Sequence, residues 1–512
     1  MVPLGSGLAA ELHVPRSSAQ IKVDYVAALS DAIAAWSALL ADADPSSFLY
    51  RGVDLRCAVE RVMYFALVND SAAYATFAAQ AAGIAPATAP PNQSIYRFVA
   101  PCLVGRRSGA EDSSGDFPRK LGWLPRLNRQ VKRFAGRQHP DFDLKRVDGR
   151  PNVLFLAIQP KFVRFLLPIM LALDDDAAFL TVGDLATEKY LKKMELPTLS
   201  VRLASAAQSG VNGILGDFAY LCRTFDAIEA CIEQTKPRVL VVPEGNAPDC
   251  EVARLAARRA GVPTICIQHG WSPVSHPGFR NLMFDEMLVW GSLFADLLAP
   301  ENPLQHFAIV GNPTRFETAR RLRSFQPIRA IGFFLQKGGP LIDATDWTSF
   351  LDLIGWTAAS FPDVEIIARE HPSTSPLDDR ERSRIGDHSN MQFMSAVDCP
   401  LGDILARCDI VVAAYSTTLL EAVAAGAIPF IFGASGMARY RPDLASVGVA
   451  IEEKQLAAAK VSLGLLIADC GMRERLRKAG EAFMPCLFAA TGKSAVERIV
   501  STIRSAGMLH GV

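Results

Sequence analysis

The pattern of hydrophobic and polar positions is most informative between residues 408 and 432. Residues 410–414 form a wholly apolar run, typical of a strand buried on both faces of a parallel sheet. Three hydroxyl residues follow at 416–418. Residues 419–425 then favour a helix that ends at Gly426, and residues 428–432 form the next buried strand. The stretch therefore predicts a strand–turn–helix–strand unit with hydroxyl groups at the mouth of the turn.

Two interpretations of these hydroxyl groups stay open. In open parallel sheets, ligands bind outside the carboxyl ends of the strands, where the amino end of a helix favours phosphate. Alternatively, Thr418 and Glu421 have the spacing of a capping box, which satisfies the start of a helix without any ligand. The second interpretation leaves Ser416 and Thr417 unassigned, so both remain candidates for ligand binding.

A similar alternation of apolar runs and helical periodicity fills the chain from residue 151 to about residue 310. The runs predict strands at residues 153–158, 179–182, 198–201, 239–243, 264–268, 287–290 and 308–310. Helices are predicted at residues 162–173, 218–234 and 250–260. This alternation is typical of a doubly wound parallel sheet.

A second series begins at residue 331. It predicts strands at residues 331–335, 364–368, 391–394 and 447–451, helices at residues 347–360 and 404–407, and a helical tail from residue 455. With the unit at 408–432, these elements form a second α/β domain. We therefore expect two tandem Rossmann-like domains with a ligand in the cleft between their strand ends.

The chain before residue 151 has a different pattern. Residues 23–40 and 55–82 are rich in alanine with apolar positions at helical spacing, and residues 85–93 read as a Pro/Ala linker. The predicted domains are a helical region at 1–118, a basic segment at 119–150, and Rossmann-like domains at 151–320 and 321–512. The N-terminal helical region carries no catalytic motif.

The basic segment contains ten Lys and Arg residues against three acidic ones. As a helix, residues 123–137 would place Trp123, Leu127 and Phe134 on one face and Arg129, Arg133 and other cations on the opposite face. Such a helix can lie on an anionic membrane surface. It can equally pack on its own domain with a solvated basic face, and both interpretations stay open.

Composition limits the remaining classes. The 512 residues are half hydrophobic with a formal net charge of zero, and we predict no nucleic-acid partner. The ten cysteines include no Cys-x-x-Cys pair and lie mostly in apolar runs, which predicts free thiols in a reducing compartment. Since no signal peptide or membrane span is predicted, we expect a cytoplasmic protein, with residues 123–137 as the candidate for peripheral membrane contact.

Polar side chains directly follow three of the predicted strands. They are Glu244, Gly245 and Asn246 after the first, His269 and Gly270 after the second, and Glu370, His371 and Pro372 after the third. A histidine beside glycine suits a general base, because its unperturbed pKa lies near neutrality. Each histidine alone is consistent with a structural role. The convergence of three strand ends and the Ser416 turn on one cleft favours a ligand site.

Charge stabilisation at this cleft is expected from the protein itself. No cluster of Cys and His with metal-ligand spacing is visible, so we predict no metal and no cofactor. Lys337 follows the first strand of the second domain and is a candidate cation for a nucleotide phosphate, although a loop lysine commonly serves only solubility.

Four motifs occur in an order that resembles one group of bacterial GT-B transferases. They are Gln268-His269-Gly270, Gly311-Asn312-Pro313-Thr314-Arg315, Glu370-His371-Pro372 and the stretch from Asp409 to Ser416. The group includes the CDP-glycerol glycerophosphotransferases of teichoic acid synthesis and the capsule-type sialyl- and Kdo-transferases with HP and S motifs. The resemblance covers about residues 235–435 and implies the GT-B fold of two Rossmann-like domains.

The resemblance also implies roles for the candidates. The first Rossmann-like domain would face the acceptor, with His269 as base or charge partner. Glu244 resembles the acidic motif that polysialyltransferases use as catalytic base. The second domain would hold a cytidine nucleotide through His371, Pro372, Ser416 and Thr417, with Glu370 and Lys337 beside them. The remaining candidates for the acceptor part of the cleft are Asn246, Gly270 and Asn312.

Two departures from the family pattern decide which of the alternative functions is preferred. The teichoic-acid enzymes usually carry a lysine a few residues after His-Gly, whereas residues 271–276 here read Trp-Ser-Pro-Val-Ser-His. The doubled acid of the polysialyltransferases is reduced to Glu244. A glycosyltransferase with a CMP-linked acidic sugar donor of Kdo or sialic-acid type is therefore preferred over a glycerophosphotransferase.

Two further functions remain as alternatives. A UDP-sugar 2-epimerase has the same two-domain fold and also places His and Glu in the cleft. A catalytically silent nucleotide-binding scaffold would use the helical N-terminal region to bind partners. The expected partners of the preferred function are a nucleotide-sugar donor and a glycan, lipid-linked or protein acceptor.

Overall fold

The computed structural model describes residues 25–42, 44–69, 141–143, 150–203, 214–274, 276–316, 327–337, 341–371, 375–396 and 399–509. The predicted linker at 85–93, the basic stretch at 123–137 and Pro372 lie outside these residues. Within the described part of the chain, no helix combines the length and apolar character needed to cross a membrane.

The N-terminal extension contains two helices, α1 (Tyr25–Asp42) and α2 (Arg56–Asn69). A short antiparallel pair, β1 (Leu49–Tyr50) and β2 (Val53–Asp54), lies between them. Apolar side chains such as Leu29, Ile33 and Leu55 are buried in the same core as side chains of the first Rossmann-like domain. The described part of the extension is therefore packed on that domain. Its two helices overlap the predicted ones at 23–40 and 55–82, and residues 70–82 of the second prediction lie outside the described residues.

The first Rossmann-like domain is built on an eight-stranded sheet. Its strands are β3 (Asp141–Asp143), β4 (Val153–Leu156), β5 (Ala177–Val182), β6 (Thr198–Arg202), β7 (Val239–Pro243), β8 (Thr264–Ile267), β9 (Glu286–Val289) and β10 (Phe307–Ile309). Its helices are α3 (Pro160–Leu171), α4 (Leu185–Lys193), α5 (Ile214–Thr235), α6 (Pro248–Arg259) and α7 (Ser292–Leu298).

The second domain has a six-stranded sheet. Its strands are β11 (Ala330–Phe334), β12 (Glu365–Arg369), β13 (Met391–Met394), β14 (Ile410–Ala413), β15 (Ile428–Phe432) and β16 (Ile451–Glu453). The helices that follow β11 are α8 (Ala344–Ser360), α9 (Asp379–Ile385), α10 (Leu401–Arg407), α11 (Thr418–Ala425), α12 (Leu456–Ala468), α13 (Cys470–Leu487) and α14 (Lys493–Leu509).

Both sheets have the doubly wound strand order. The first runs β10-β9-β8-β7-β4-β5-β6-β3, and the second runs β13-β12-β11-β14-β15-β16. All neighbouring strands are parallel except β3, which pairs antiparallel with β6. Apart from the edge strand β3, in each sheet the chain starts in the middle, adds strands on one side and then on the other. The prediction of two tandem Rossmann-like domains, the GT-B arrangement, with a helical N-terminal extension is confirmed.

Among the described helices and strands, six short ones were not predicted: β1, β2, β3, α4, α7 and α9. Strand β3 lies in the predicted basic segment and extends the first sheet upstream of residue 151. Helices α4 and α9 are short and highly charged, so they bury little apolar surface and have a weak hydrophobic pattern.

The C-terminal helix corrects the predicted domain boundary. The pattern assigned the helical tail from residue 455 to the second domain, but α14 packs against α3 and β7 of the first. Val496, Ile499 and Ile503 share a core with side chains of β4 and β7. Periodicity shows that a helix has an apolar face, but not which sheet covers it.

Where the chain returns to the first domain, the backbone at Ala490 passes close to the backbone of Gly311 and Asn312. A Cβ atom on Gly311 would lie 2.2 Å from the carbonyl oxygen of Ala490, and Gly311 has a φ of +100°. Asn312 donates its backbone N–H to the same carbonyl at 2.9 Å, and its side-chain oxygen accepts from the backbone N–H of Thr314 at 2.9 Å. Asn312, predicted for the acceptor cleft, is therefore buried at the crossing of the two domains.

Candidate active site

The strand orders place one switch point in each sheet, where ligands of open α/β sheets bind. In the first sheet it lies between β4 and β7, so the residues after these strands include Lys161 and Glu244. In the second sheet it lies between β11 and β14, which brings Gln336 and the Ser416 turn together. The side chain of Gln336 accepts from the backbone N–H of Tyr415 at 3.0 Å.

Glu244 and His269 form a pair at the end of the first sheet. Oε1 of Glu244 lies 3.3 Å from Nδ1 of His269, and both side chains are about one-fifth exposed. Burial would raise the pKa of Glu244, but the hydrogen bond with His269 and the charges of His269 and Lys161 lower it below its ordinary value. A carboxylate can only accept, so Nδ1 carries the proton and Nε2 of a neutral His269 is left as the basic nitrogen.

The backbone at Glu244 is strained. Its φ is +53°, in the left-handed region that residues with a side chain seldom adopt, at a cost on the order of 1–3 kcal/mol. The next residue, Gly245, packs tightly, since a Cβ there would lie 2.9 Å from Leu282. A strained acid beside a strand end suggests a positional requirement for this carboxylate.

His269 is held between two aromatic rings. Its ring centroid lies 4.6 Å from that of Phe162 and 4.8 Å from that of Phe165, both in edge-to-face geometry. These phenylalanines come from α3 and were not predicted as site residues. They restrict the imidazole ring and keep one side of it apolar.

Lys161 is a further cleft residue that the motif analysis missed. Its Nζ lies 4.6 Å from the centroid of the Phe162 ring. Its charge acts on Glu244 in the first domain and on His371 in the second, which places it near both. A cation in the first turn of a helix opposes the helix dipole, so its position argues for a role outside helix stability. Lys161 lies after β4 as Glu244 lies after β7, and this position after a buried strand is the sequence signal that could have identified Lys161.

The Ser416 turn begins α11 in the second domain. The hydroxyl of Ser416 accepts from the backbone N–H of Thr418 at 3.2 Å and donates to the Thr418 hydroxyl at 3.0 Å. Tyr440 donates its phenol to the Ser416 carbonyl oxygen at 3.1 Å. Ser416 is partly exposed at the amino end of the helix, where an anion is favoured.

Thr417 links the two domains. Its hydroxyl accepts from the backbone N–H of Trp271 at 3.1 Å and donates to the Trp271 carbonyl oxygen. The indole of Trp271 donates to the carbonyl oxygen of Arg441 at 2.7 Å. A Cβ on Gly270 would lie within 4 Å of both the Glu244 carboxylate and the Thr417 hydroxyl. The acid–histidine pair and the Ser416 turn therefore belong to one site.

The capping box that the spacing of Thr418 and Glu421 allows is not formed. Thr418 is the first helical residue, its backbone N–H is bonded by Ser416, and no side-chain cap is formed by Thr417. Glu421 instead lies in a buried environment that raises its pKa to about 7, while the charge of Arg369 acts in the opposite direction. The predicted helix end at Gly426, with a left-handed φ of 81°, is confirmed.

Arg369 supplies a cation to the same part of the second domain. Its Nη2 donates to the carbonyl oxygens of Ala396 and Cys399 at 3.3 and 3.2 Å. Its Nε is buried and has no hydrogen-bond partner among the described residues. Burial lowers the pKa of Arg369, and the charge of Glu421 opposes that effect. Arg369 comes immediately before the predicted Glu370-His371 motif but was not predicted itself.

The raised pKa of Glu421 makes stability depend on pH. Its ordinary pKa is 4.5, so between pH 4.5 and 7 the unfolded chain releases the proton while the folded protein retains it. The free energy of unfolding should fall over this window by about 3.5 kcal/mol at most, at about 1.4 kcal/mol for each unit of pKa shift. We expect Glu421→Gln to remove this loss, as measured by urea unfolding at pH 5 and pH 7.5.

A matched control is Asp363→Asn, which changes an exposed carboxyl in the same domain. That variant should keep the pH dependence of the wild type. Parallel pH profiles for wild type and Glu421→Gln would contradict a protonated Glu421 in the folded protein.

The other nucleotide-side candidates are tied to α9. Nζ of Lys337 lies 2.8 Å from Oε2 of Glu381, and Oε1 of Glu370 lies 3.3 Å from Nη2 of Arg382. Burial lowers the pKa of His371, as do the charges of Arg369 and Lys161, so the neutral imidazole is favoured. Of these candidates, His371 has the clearest relation to the cleft, because Lys161 of the first domain acts on it.

Helix α2 of the N-terminal extension is hydrogen-bonded to the loop that follows His269, on the proposed acceptor side of the cleft. Arg61 of α2 is buried and donates to the carbonyl oxygen of Gly278 at 3.1 Å, and Tyr64 donates to that of Val274 at 2.9 Å. Burial raises the pKa of Tyr64, and the charge of Glu244 adds to this, while Asn246 acts in the opposite direction. Asn246, predicted for the cleft, is 3% exposed and belongs to this support beside Tyr64.

Within the described residues, no group of three or more His, Cys, Asp or Glu side chains is placed to hold a metal ion. Positive charge at the site comes from Lys161 and Arg369. The site thus combines an acid–histidine pair, two cations and the amino end of a helix, an arrangement suited to moving a proton and stabilising a phosphate.

Comparison with known proteins gives likenesses to solved structures only. No family model and no curated protein matches the chain. The UDP-GlcNAc 2-epimerase of Neisseria meningitidis bound to UDP-GlcNAc is 14% identical, with a TM-score of 0.48 over 69% of this chain and 99% of that one. MurG of Acinetobacter baumannii is 13% identical, with a TM-score of 0.47 over 69% and 99%.

A third likeness is to Alr3699/HepE of Anabaena in complex with UDP and glucose. It is 16% identical, with a TM-score of 0.46 over 69% of this chain and all of that one. The assignment of two Rossmann-like domains follows from the strand orders of the sheets and does not depend on these likenesses.

Proposed function

We propose that the protein is a glycosyltransferase that moves a sugar from a nucleotide-activated donor to a glycan, lipid-linked or protein acceptor. The observation that carries this proposal is the juxtaposition of the Glu244–His269 pair with the Ser416 turn, across a cleft closed by Thr417 and Trp271. One side of the cleft can activate a hydroxyl, and the other can hold a nucleotide phosphate.

On the acceptor side, His269 would take the proton of the attacking hydroxyl through Nε2. Glu244 would hold Nδ1 and stabilise the imidazolium that forms, as the acid does in other acid–histidine pairs. Phe162 and Phe165 fix the ring, so the proton acceptor is positioned before the substrate binds.

On the donor side, the nucleotide phosphate would sit at the amino end of α11 near Ser416, with His371 and Arg369 around it. When the bond between sugar and phosphate breaks, negative charge develops on the leaving phosphate. Lys161, across the cleft, and Arg369 would stabilise that charge. We therefore propose a mechanism in which the protein's own cations do this without a divalent ion.

The donor that we propose is a CMP-linked acidic sugar of Kdo or sialic-acid type. The HP and S motifs support this choice through their resemblance to the capsule-type transferases, as does the absence of the lysine typical of the teichoic-acid enzymes. A bacterial surface glycan is the acceptor that the same resemblance favours.

Thermal unfolding with CMP, CDP, UMP, UDP and GDP tests the donor class, because a nucleotide that binds only the folded protein raises Tm. Product analysis then separates the functions. A glycosyltransferase consumes the donor with an acceptor and is expected to remain active in EDTA. An epimerase, the alternative with the same two-domain fold, would alter a UDP-sugar without any acceptor. Nucleotide binding without turnover would indicate a scaffold.

Variants on the donor side test the site. His371→Ala and Ser416→Ala should each weaken nucleotide binding about tenfold to a hundredfold, since each removes a hydrogen bond to a charged phosphate, worth about 1.5–3 kcal/mol. Isothermal titration calorimetry measures the Kd. His388→Ala, which changes a histidine bonded to the carbonyl oxygen of Ile385 in the same domain, is the control. Unchanged Kd in both site variants would contradict the assignment.

A further inference from the structure

A basic cavity lies beside the acceptor side of the cleft. Its volume is about 420 Å³, and it is bounded by α3, by the start of the connection between the domains at Pro313 to Arg315, and by the start of α14. This volume is in the range of small-molecule sites, roughly 300–1,000 Å³. It is large enough for one sugar unit with a charged substituent.

The charged residues lining the cavity are all cations: Arg164, Arg315 and Lys493. Neither arginine has an ion-pair partner among the described residues, and Lys493 has only a long contact of 3.8 Å with Glu497. These three cations line one concavity, and an anion bound there would reduce the repulsion between them.

Phe165 connects this cavity to the candidate base. Its ring lines the cavity and lies 4.8 Å from the ring of His269, centroid to centroid. One aromatic ring therefore separates the proposed proton acceptor from the basic cavity. An acceptor that is larger than the reacting unit would extend from His269 past Phe165 toward Arg164 and Arg315.

We propose that this cavity binds an anionic group, a carboxylate or a phosphate, carried by the acceptor next to its reactive hydroxyl. The arginines match such groups because the guanidinium can bond two oxygens at once. This inference rests on the proposed transferase function and adds to it the class of acceptor. The enzyme would select acidic glycans over neutral ones through residues outside the acid–histidine pair.

The test uses the double variant Arg164→Ala/Arg315→Ala and two probes, glycerol 3-phosphate and free N-acetylneuraminic acid. Both side chains are exposed, so the fold and the nucleotide affinity should be unchanged. Calorimetry with nucleotide present should show that at least one probe binds to the wild type. The Kd of that probe for the double variant should be at least about tenfold higher. The probe that responds distinguishes a phosphate from a carboxylate.

Arg258→Ala, an exposed arginine near the end of α6, is the control and should bind the probe as the wild type does. Equal affinity in wild type and double variant would overturn the proposal, because it would place the probe outside this cavity. Absence of binding by both probes would overturn it too. If the wild type binds no nucleotide, the proposed function fails separately, and the same titrations without nucleotide still decide whether the cavity binds anions.

Discussion

Replacement of His269 by alanine is expected to lower kcat by about 10²–10⁴-fold, the usual contribution of a positioned general base. Nucleotide affinity should stay nearly constant, because the proposed nucleotide site lies on the other domain. Glu244→Gln should lower kcat as well, because a neutral amide does not stabilise the imidazolium. The amide NH2 can also donate to Nδ1, which leaves the proton of His269 on Nε2 and removes the basic nitrogen. The measurements are kcat, the nucleotide Kd and Tm for both variants.

The chain offers a matched control for this pair. His306 and Glu286 form a second histidine–carboxylate contact, with Nδ1 and Oε1 3.2 Å apart, but His306 is 73% exposed. His306→Ala and Glu286→Gln should leave kcat unchanged. Two stable variants at His269 and Glu244 with near-wild-type kcat would show that the pair has only a structural role.

Replacement of Lys161 by alanine is expected to lower kcat by about 10²-fold, since one charge aimed at a developing oxyanion is commonly worth 10²–10³-fold. The loss should fall mainly on kcat, because the charge on the leaving phosphate increases in the transition state. Lys161→Arg should restore part of the activity, which a purely structural role would not require. Steady-state kinetics with nucleotide Kd measured separately checks this.

Lys189→Ala, which changes an exposed lysine of α4, is the control for Lys161. Donors with a better leaving group need less stabilisation and should lose less rate in Lys161→Ala. An equal loss with every donor, or a loss explained entirely by weaker nucleotide binding, would contradict the role of Lys161 in stabilising the leaving phosphate.

Much of the site could be predicted because strand ends are visible in the chain. Glu244, His269 and Ser416 each follow a buried strand, and parallel strands bring such residues to one edge of the sheet. Lys161 also follows a predicted strand, the one at 153–158. It was missed because two residues lie between the end of that strand and Lys161. Arg369 was missed because it is the last residue of β12, whereas the predicted site residues Glu370 and His371 come after that strand.

Local spacing has several structural solutions, so other candidate residues make contacts that their motifs did not predict. Thr418 and Glu421 have the spacing of a capping box, but α11 begins at Thr418 itself, whose backbone N–H is bonded by Ser416. Gly311-Asn312 fits a cleft motif, yet the glycine and asparagine accommodate the crossing chain at Ala490. Thr417 was predicted to bind nucleotide, and its hydroxyl is bonded to Trp271; its part in nucleotide binding stays a proposal.

The sequence by itself determined the two doubly wound domains, the helical extension and the candidate residues at the strand ends. These follow from the periodicity of apolar residues, which each segment carries within itself. Only the tertiary structure decided that α14 returns to the first domain, that α2 supports the loop after His269, and that Trp271 meets Thr417. Contacts between distant segments depend on which surfaces cover each other, and periodicity within a segment does not specify its partner.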